Sequence, residues 1–385
     1  MKKRLLLGLF WITITASLTA CNMPAATETP NLTSATAPVP TGTAPGGLPS
    51  ATFTPANQPD PTSTAPPTET APPSPTPAPR LAQLTGGGCC AGPSWAPDSS
   101  AVLYIDKPSP NDPAGLWSVD LEGGPPQFTT DRLGILSPDW AYRAYPQGDV
   151  TIIERLADGQ QWTLANGGRP VAFAPGNELL AWTAGQSGPP FDIALREVWI
   201  SNLDGTGARQ VYQATGGGLV GWRTSSELLI SQRGGQEGPT TTLWLYSLAT
   251  GQAEQVLQVS GRLRGTSLSP DGRWLAHQVT FSGEPDADGI WVTNLETRQQ
   301  RHLPEYGAYQ WRDNERLLVI PLEPGAAAHR IMEVEAASGE VRPLTDPAVT
   351  PLHIANGDWR VSPDGQNIAF VSGVDHNIWL LTLPL

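Results

Sequence analysis

The stretch LSPDGRWLAH, Leu268–His277, decides the fold, because altered copies of it return along the chain. VSPDGQNIAF (Val361–Phe370) keeps its S-P-D-G core. WAPDSSAVLYI from Trp95, LSPDWAYRAY from Leu136 and FAPGNELLAW from Phe173 keep the proline. WRTSSELLIS from Trp222 and WRDNERLLVI from Trp311 keep only the pattern. With Pro97, Pro138, Pro175, Thr224, Pro270, Asp313 and Pro363 taken as equivalent anchors, the spacings are 41, 37, 49, 46, 43 and 50 residues. Each unit opens on a bulky apolar residue two places before its anchor. A polar turn follows, in which Pro presets φ, Asp caps the turn and Gly permits the left-handed step. An alternating strand such as NIAFVS comes next, with Ile368 and Phe370 on one face.

A second half-motif completes the unit. LWSVDLEGG, VWISNLDGTG, LWLYSLATG, IWVTNLETR and IWLLTLPL centre on Trp117, Trp199, Trp244, Trp291 and Trp379. IMEVEAASG puts Met332 in the Trp place, and TIIERLADG in the second unit is the most degenerate copy. A fourth strand follows, as in ARQVYQ and EVRPLT. Seven four-stranded units at this period predict an all-β chain, a seven-bladed β-propeller over 81–385. The last unit has three strands of its own, and LAQLT (Leu81–Thr85) resembles the fourth-strand ending VRPLT. The N-terminal strand is therefore expected to complete the last blade and remove an exposed edge.

LSPDGRWLAH…IWVTNLET and VSPDGQNIAFVS…NIWLLTL resemble the PD40 repeats of TolB-like, WD40-like β-propellers. The resemblance spans nearly all of 81–385 and implies the fold. Only two units carry an intact S-P-D-G, the α/β domain that precedes the propeller in TolB is missing, and seven units stand where that family has six. A TolB role in the envelope is therefore not carried over, because fold does not dictate function.

The N-terminus reads as an address. Lys2, Lys3 and Arg4 precede an apolar run from Leu5 to Leu18, and LTAC (Leu18–Cys21) resembles the lipobox of bacterial lipoproteins. Residues 1–20 are expected to be a cleaved signal peptide, with Cys21 lipidated and the domain held outside the cytoplasm on the cell membrane. Residues 21–80 are Pro, Thr, Ala and Ser with Phe53 as the lone aromatic. Such a segment buries too little to offset its ordering entropy, so a disordered tether is expected. In polyproline II it would reach roughly 180 Å.

The chain carries a formal net charge of −13, and removal of Lys2, Lys3 and Arg4 makes it more acidic still. That excludes a nucleic-acid binder and leaves the N-terminal lipid as the only contact with membrane. A monomer is expected. There is no G-x-S-x-G, no phosphate loop and no metal spacing among the five His, so no catalytic residue, metal or cofactor is assigned. Asp286 and Asp288 in EPDADG read as a solvated acidic loop, because the distal glutamate of a calcium loop is lacking.

Binding is expected on one face of the ring. The turns between first and second strands are short and regular. The loops between second and third strands, such as those from Asp106, Thr183, Ser231 and Thr280, are long and variable, as binding loops on rigid scaffolds often are. Connections between blades share that face. Arg132, Arg169 and Arg264 each lie six residues before their unit's anchor, and Arg262, Tyr306, His353 and Asp358 fall in the same class of connection. Converging guanidinium groups would bind a carboxylate or phosphate, whereas separate pairing with neighbouring acids is the plainer reading. Two functions follow: a tethered module recruiting an envelope protein or glycan, or a propeller-type lyase or hydrolase working at the channel mouth. The lack of a catalytic motif favours the first.

Cys89 and Cys90 sit together in GGGCCAG, between the closing strand and the first blade. Adjacent Cα atoms are about 3.8 Å apart, below the usual disulfide window, so a vicinal bridge requires a strained ring. That ring, two free or externally bonded thiols, and a two-ligand metal site are the three readings. Export favours oxidation.

Overall fold

The computed structural model describes residues 79–384, apart from residues 89, 186–192, 235–239 and 304, and not the side chains of Pro285 and Asn356. The expected signal peptide, Cys21, nearly all of the tether and Cys89 lie outside the described residues. The described strands form seven four-stranded antiparallel sheets, the blades of a β-propeller. Their first strands are Ala91–Trp95, Ile135–Leu136, Ala172–Phe173, Gly218–Thr224, Arg262–Leu268, Gly307–Trp311 and Ile354–Val361. The first strands of blades 3 and 4, 5 and 6, 6 and 7, and 7 and 1 approach one another. Among the described residues the only helix is a 3-10 turn, Pro285–Ala287, and none is long and apolar enough to cross a membrane.

Blade 7 takes its outer strand from the other end of the domain. Strand Arg80–Gln83 pairs with Ile378–Thr382, Arg80 opposite Thr382 and Gln83 opposite Trp379. Beyond it, Leu84 N–H donates to the Ile378 carbonyl at 2.8 Å, and Ile378 N–H donates to Thr85 Oγ1 at 2.8 Å. The expected closure holds, beginning one residue earlier, at Arg80. Gly88 N–H then reaches Asn377 Oδ1 at 3.1 Å, so the connection to blade 1 is sewn onto blade 7. Cys90, in that connection, is disulfide-bonded and has φ 109°; the other cysteines, Cys21 and Cys89, are outside the described residues.

The repeat's turn is built as its residues suggest. Ser269 Oγ donates to Asp271 Oδ1 (2.6 Å) while accepting Trp274 N–H (2.9 Å), and Asp271 Oδ1 accepts Arg273 N–H (3.0 Å). Ser362 and Asp364 repeat this in blade 7. Gly272 and Gly365 take φ of 71° and 69° there. A Cβ on Gly272 would lie 2.3 Å from the Arg223 carbonyl of the preceding blade, and one on Gly365 would lie 2.6 Å from that of Arg312. At these turns glycine serves close approach between blades as well as the left-handed step.

The core lies between blades. Buried apolar clusters join blades 2 and 3, 3 and 4, 4 and 5, 5 and 6, 6 and 7, and 7 and 1. No comparable cluster of described residues joins blade 1 to blade 2. Trp95, Trp222 and Trp311 belong to these clusters and pack between blades. Each indole N–H donates to a carbonyl on the first strand of the blade before, respectively Arg360, Ala172 and Ser267.

Candidate functional site

A cavity of about 420 Å³ opens on the loop-rich face, at the inner rim of blades 6 and 7. The first strand of blade 6 begins it. Gly307 leaves no room for a side chain, since a Cβ would stand 2.1 Å from the Ile320 carbonyl. That close approach seats the preceding residue, Tyr306, whose carbonyl accepts Leu322 N–H at 2.6 Å. Tyr306 is partly exposed and lines the cavity. Partial desolvation, and then the charge of nearby Asp288, hold its phenol above its ordinary pKa.

The loop between the second and third strands of blade 6 supplies the opposite wall. Glu323 and His329 from that loop line the cavity, and Glu323 is ion-paired with Arg330. His329 is fixed from two sides. Its backbone N–H donates to Leu352 O (2.7 Å), and its Nδ1 accepts Ile354 N–H (3.2 Å). An accepting Nδ1 places the neutral ring's proton on Nε2, leaving a donor there. Trp359, fully buried on the first strand of blade 7, completes the wall together with Gln278. That strand is irregular between Ile354 and Trp359, and Gly357 within the irregularity has φ 73°. Bulges of this kind re-aim side chains at the edges of sites.

The residues named from the sequence fall in several places. Tyr306 lines the cavity. His353 and Asp358 flank it, each next to a lining residue, and the His353 carbonyl accepts Gly373 N–H at 2.6 Å. The three arginines do not converge. Arg132 lies 3.4 Å from Glu154, in the cleft between blades 1 and 2. Arg169 donates to the Gly185 carbonyl at 2.9 Å. Arg264 is exposed, with its carbonyl accepting the Tyr309 hydroxyl at 3.3 Å, and Arg262 is exposed at the start of the same strand. Equal offsets from the anchor place these residues at similar points of blades 2, 3 and 5 without bringing their side chains to one cavity. Asp288 is engaged by its own loop, accepting Phe281 and Ser282 N–H at 3.0 Å each. Among the described residues, no group of three or more His, Cys, Asp or Glu is placed to hold a metal ion.

His329, Glu323, Gln278 and Trp359 are the lining residues that sequence reasoning did not single out. His329 sits in EPGAAAHR, a loop with no periodicity. That loop is close in length to those of blades 1, 3 and 5, so nothing in the sequence marked it.

Fold and cavity define a seven-bladed β-propeller closed by its own N-terminal strand. Two solved structures named oligogalacturonate lyase share the fold. One, in complex with manganese, aligns at a TM-score of 0.59 and 16% identity; the other, from Vibrio parahaemolyticus, aligns at 0.59 and 12%. Each alignment covers 79% of this chain and 93% of the other. At such identities the likeness is one of fold. No family model matches the chain, and no curated protein matches it.

Proposed function

We propose that this is a membrane-tethered, extracytoplasmic binding module of the TolB-like, PD40-repeat type, holding an envelope glycan or protein on its loop-rich face. The observation that carries the reading is the cavity beside Tyr306. A partly exposed aromatic ring stands there with a histidine, a carboxylate and an amide around a concave apolar floor. Rings of that kind take the apolar face of a sugar, and the polar groups around them suit its hydroxyls. Lipidation at Cys21 and the Pro/Thr-rich tether would hold the module at the membrane surface.

The test is retention of envelope glycans and proteins on the immobilised full chain, with Tyr306→Ala beside it. A ligand held by the native chain and lost from the variant supports the reading. Equal retention by both would remove the cavity from it.

A lyase or hydrolase is the second reading. Tyr306 and His329 line one cavity, offering a phenol and an imidazole to a bound substrate, and the two solved structures described above are named as lyases of oligogalacturonate. Incubation with oligouronates, watching for the ultraviolet absorbance of an unsaturated product, separates the two. Turnover that depends on His329 would displace the binding-module reading.

A further inference from the structure

The boundary between blades 1 and 2 departs from the repeat at two places that meet. Five residues after each anchor the repeat has an aliphatic side chain: Val102, Leu180, Leu229, Leu275, Leu318 and Ile368 are all 0% exposed. Blade 2 has Arg143 there, at 7% exposure. Its Nη2 donates to Glu154 Oε2 at 2.6 Å, and its Nη1 to Thr130 Oγ1 (2.8 Å) and the Arg132 carbonyl (3.0 Å). Its Nε is buried without a partner. The second departure is Trp140. It takes φ 60° in the turn position held by Gly272 and Gly365, where those glycines press on the blade before. An indole cannot fit into such an approach, so Trp140 props the boundary open.

The result is a cleft of about 420 Å³ in the one boundary that lacks a buried apolar cluster among the described residues. Ile105, Leu116, Leu133, Leu136, Leu156 and Trp140 line it. Ile105, Leu133 and Leu156 are 42%, 47% and 40% exposed, a local concentration of uncovered apolar surface. The charged lining groups are Arg132, Arg143 and Glu154. Burial pushes the Glu154 carboxyl up, but the bond and charge of Arg143 outweigh it and hold the carboxyl below its ordinary value. Glu154 is thus ionised, and two guanidinium groups face one carboxylate. The Arg132 side chain, 52% exposed, keeps most of its donors open at the mouth.

We propose that this cleft binds a small amphipathic carboxylate, an alkyl or arylalkyl acid. The carboxylate pairs with Arg132, where one positive charge is uncompensated. The apolar body lies between the blades and supplies the core that the repeat omits there. A neutral body would leave the charge unmet, and a short acid would leave the apolar walls wet. The site is separate from the cavity beside Tyr306 and shares no lining residue with it.

The test uses the full chain with Cys21→Ser, prepared without detergent, and calorimetric titration with decanoate, decanol and acetate. Decanoate is expected to saturate a single site, with decanol and acetate at least tenfold weaker. Arg132→Ala, a change at the exposed mouth, should weaken decanoate at least tenfold without changing the melting temperature. A second variant, Trp140→Gly with Arg143→Leu and Glu154→Val, gives the turn glycine of blades 5 and 7 and an apolar pair like Leu229 and Leu245 of blade 4. It should melt higher and no longer bind decanoate. Absence of decanoate binding, equal affinity for decanol, or undiminished binding by either variant would each overturn the proposal.

Discussion

The indole N–H of Trp222 donates to the backbone carbonyl of Ala172, one blade back, at 3.0 Å. Trp95 and Trp311 make the same bond to Arg360 and Ser267, so a side chain on one blade's inner strand reads the backbone of the previous one. Strands within a blade are tied by their ladders, whereas blades are tied to each other mainly by apolar contact. These indoles add direction to an otherwise non-directional joint. Trp222→Phe retains most of the burial and removes only the bond to the Ala172 carbonyl, which still pairs within its own sheet. Such a loss costs about 0.5–1.5 kcal/mol, to be read as a lower urea midpoint at an unchanged slope.

Closure gives a second expectation. Deleting Leu81–Thr85 exposes the edge of Ile378–Thr382 and removes the Thr85 acceptor for Ile378 N–H. The truncated chain should melt in one transition at a lower temperature, rather than lose a local end. Melting at the native temperature would show that the ring does not depend on this strand.

A third concerns acid. His277 is buried at 1% exposure, and burial pushes its pKa down to about 4. The unfolded chain, titrating near 6.5, therefore binds a proton that the folded chain refuses between those values. Stability should fall as pH drops from about 6.5 to about 4, by up to about 3 kcal/mol from this residue, and level off on either side. Asp158 lies outside that window, because Arg155 holds it at about 2. Urea titrations across the window should show a shallower slope for His277→Leu than for the native chain.

A fourth tests the seat of Tyr306. Gly307→Ala places a methyl group against the Ile320 carbonyl, so strands Gly307–Trp311 and Arg316–Pro321 must shift apart. Overpacking of this kind costs about 1–3 kcal/mol. The same shift moves Tyr306 and should weaken ligand retention even where the variant remains folded, as circular dichroism and the retention assay together would show.

The architecture was legible because each blade repeats one hydrophobic rhythm, and Leu275, Leu318 and Ile368 fall where the anchors predict buried strand positions. Closure was legible because LAQLT resembles the endings of other blades. The candidate site was legible only at Tyr306. Offset from the anchor locates a residue along a blade, but the lengths of flanking loops decide where its side chain goes. Arg132 and Arg169, alike in offset, therefore end on a carboxylate and on a carbonyl. His329 was hidden because loops carry no period. Arg143 stood in plain view as a break in the rhythm of the second copy, yet a break reads as decay until its buried partner Glu154 is seen beside it.

The pairing of Arg80–Gln83 with Ile378–Thr382 also has a consequence in time. Thr85 and Ile378 are 293 positions apart. At about 5–20 residues per second, the first strand waits roughly 15–60 s before its partner is made. No ring can lock during that interval, because the last blade lacks its partner strand. Locking thus acts as a check on completeness: a chain cut short by a stalled ribosome or a frameshift keeps its open end and is left to proteases. Only a molecule read through to its last blade can hide its first strand.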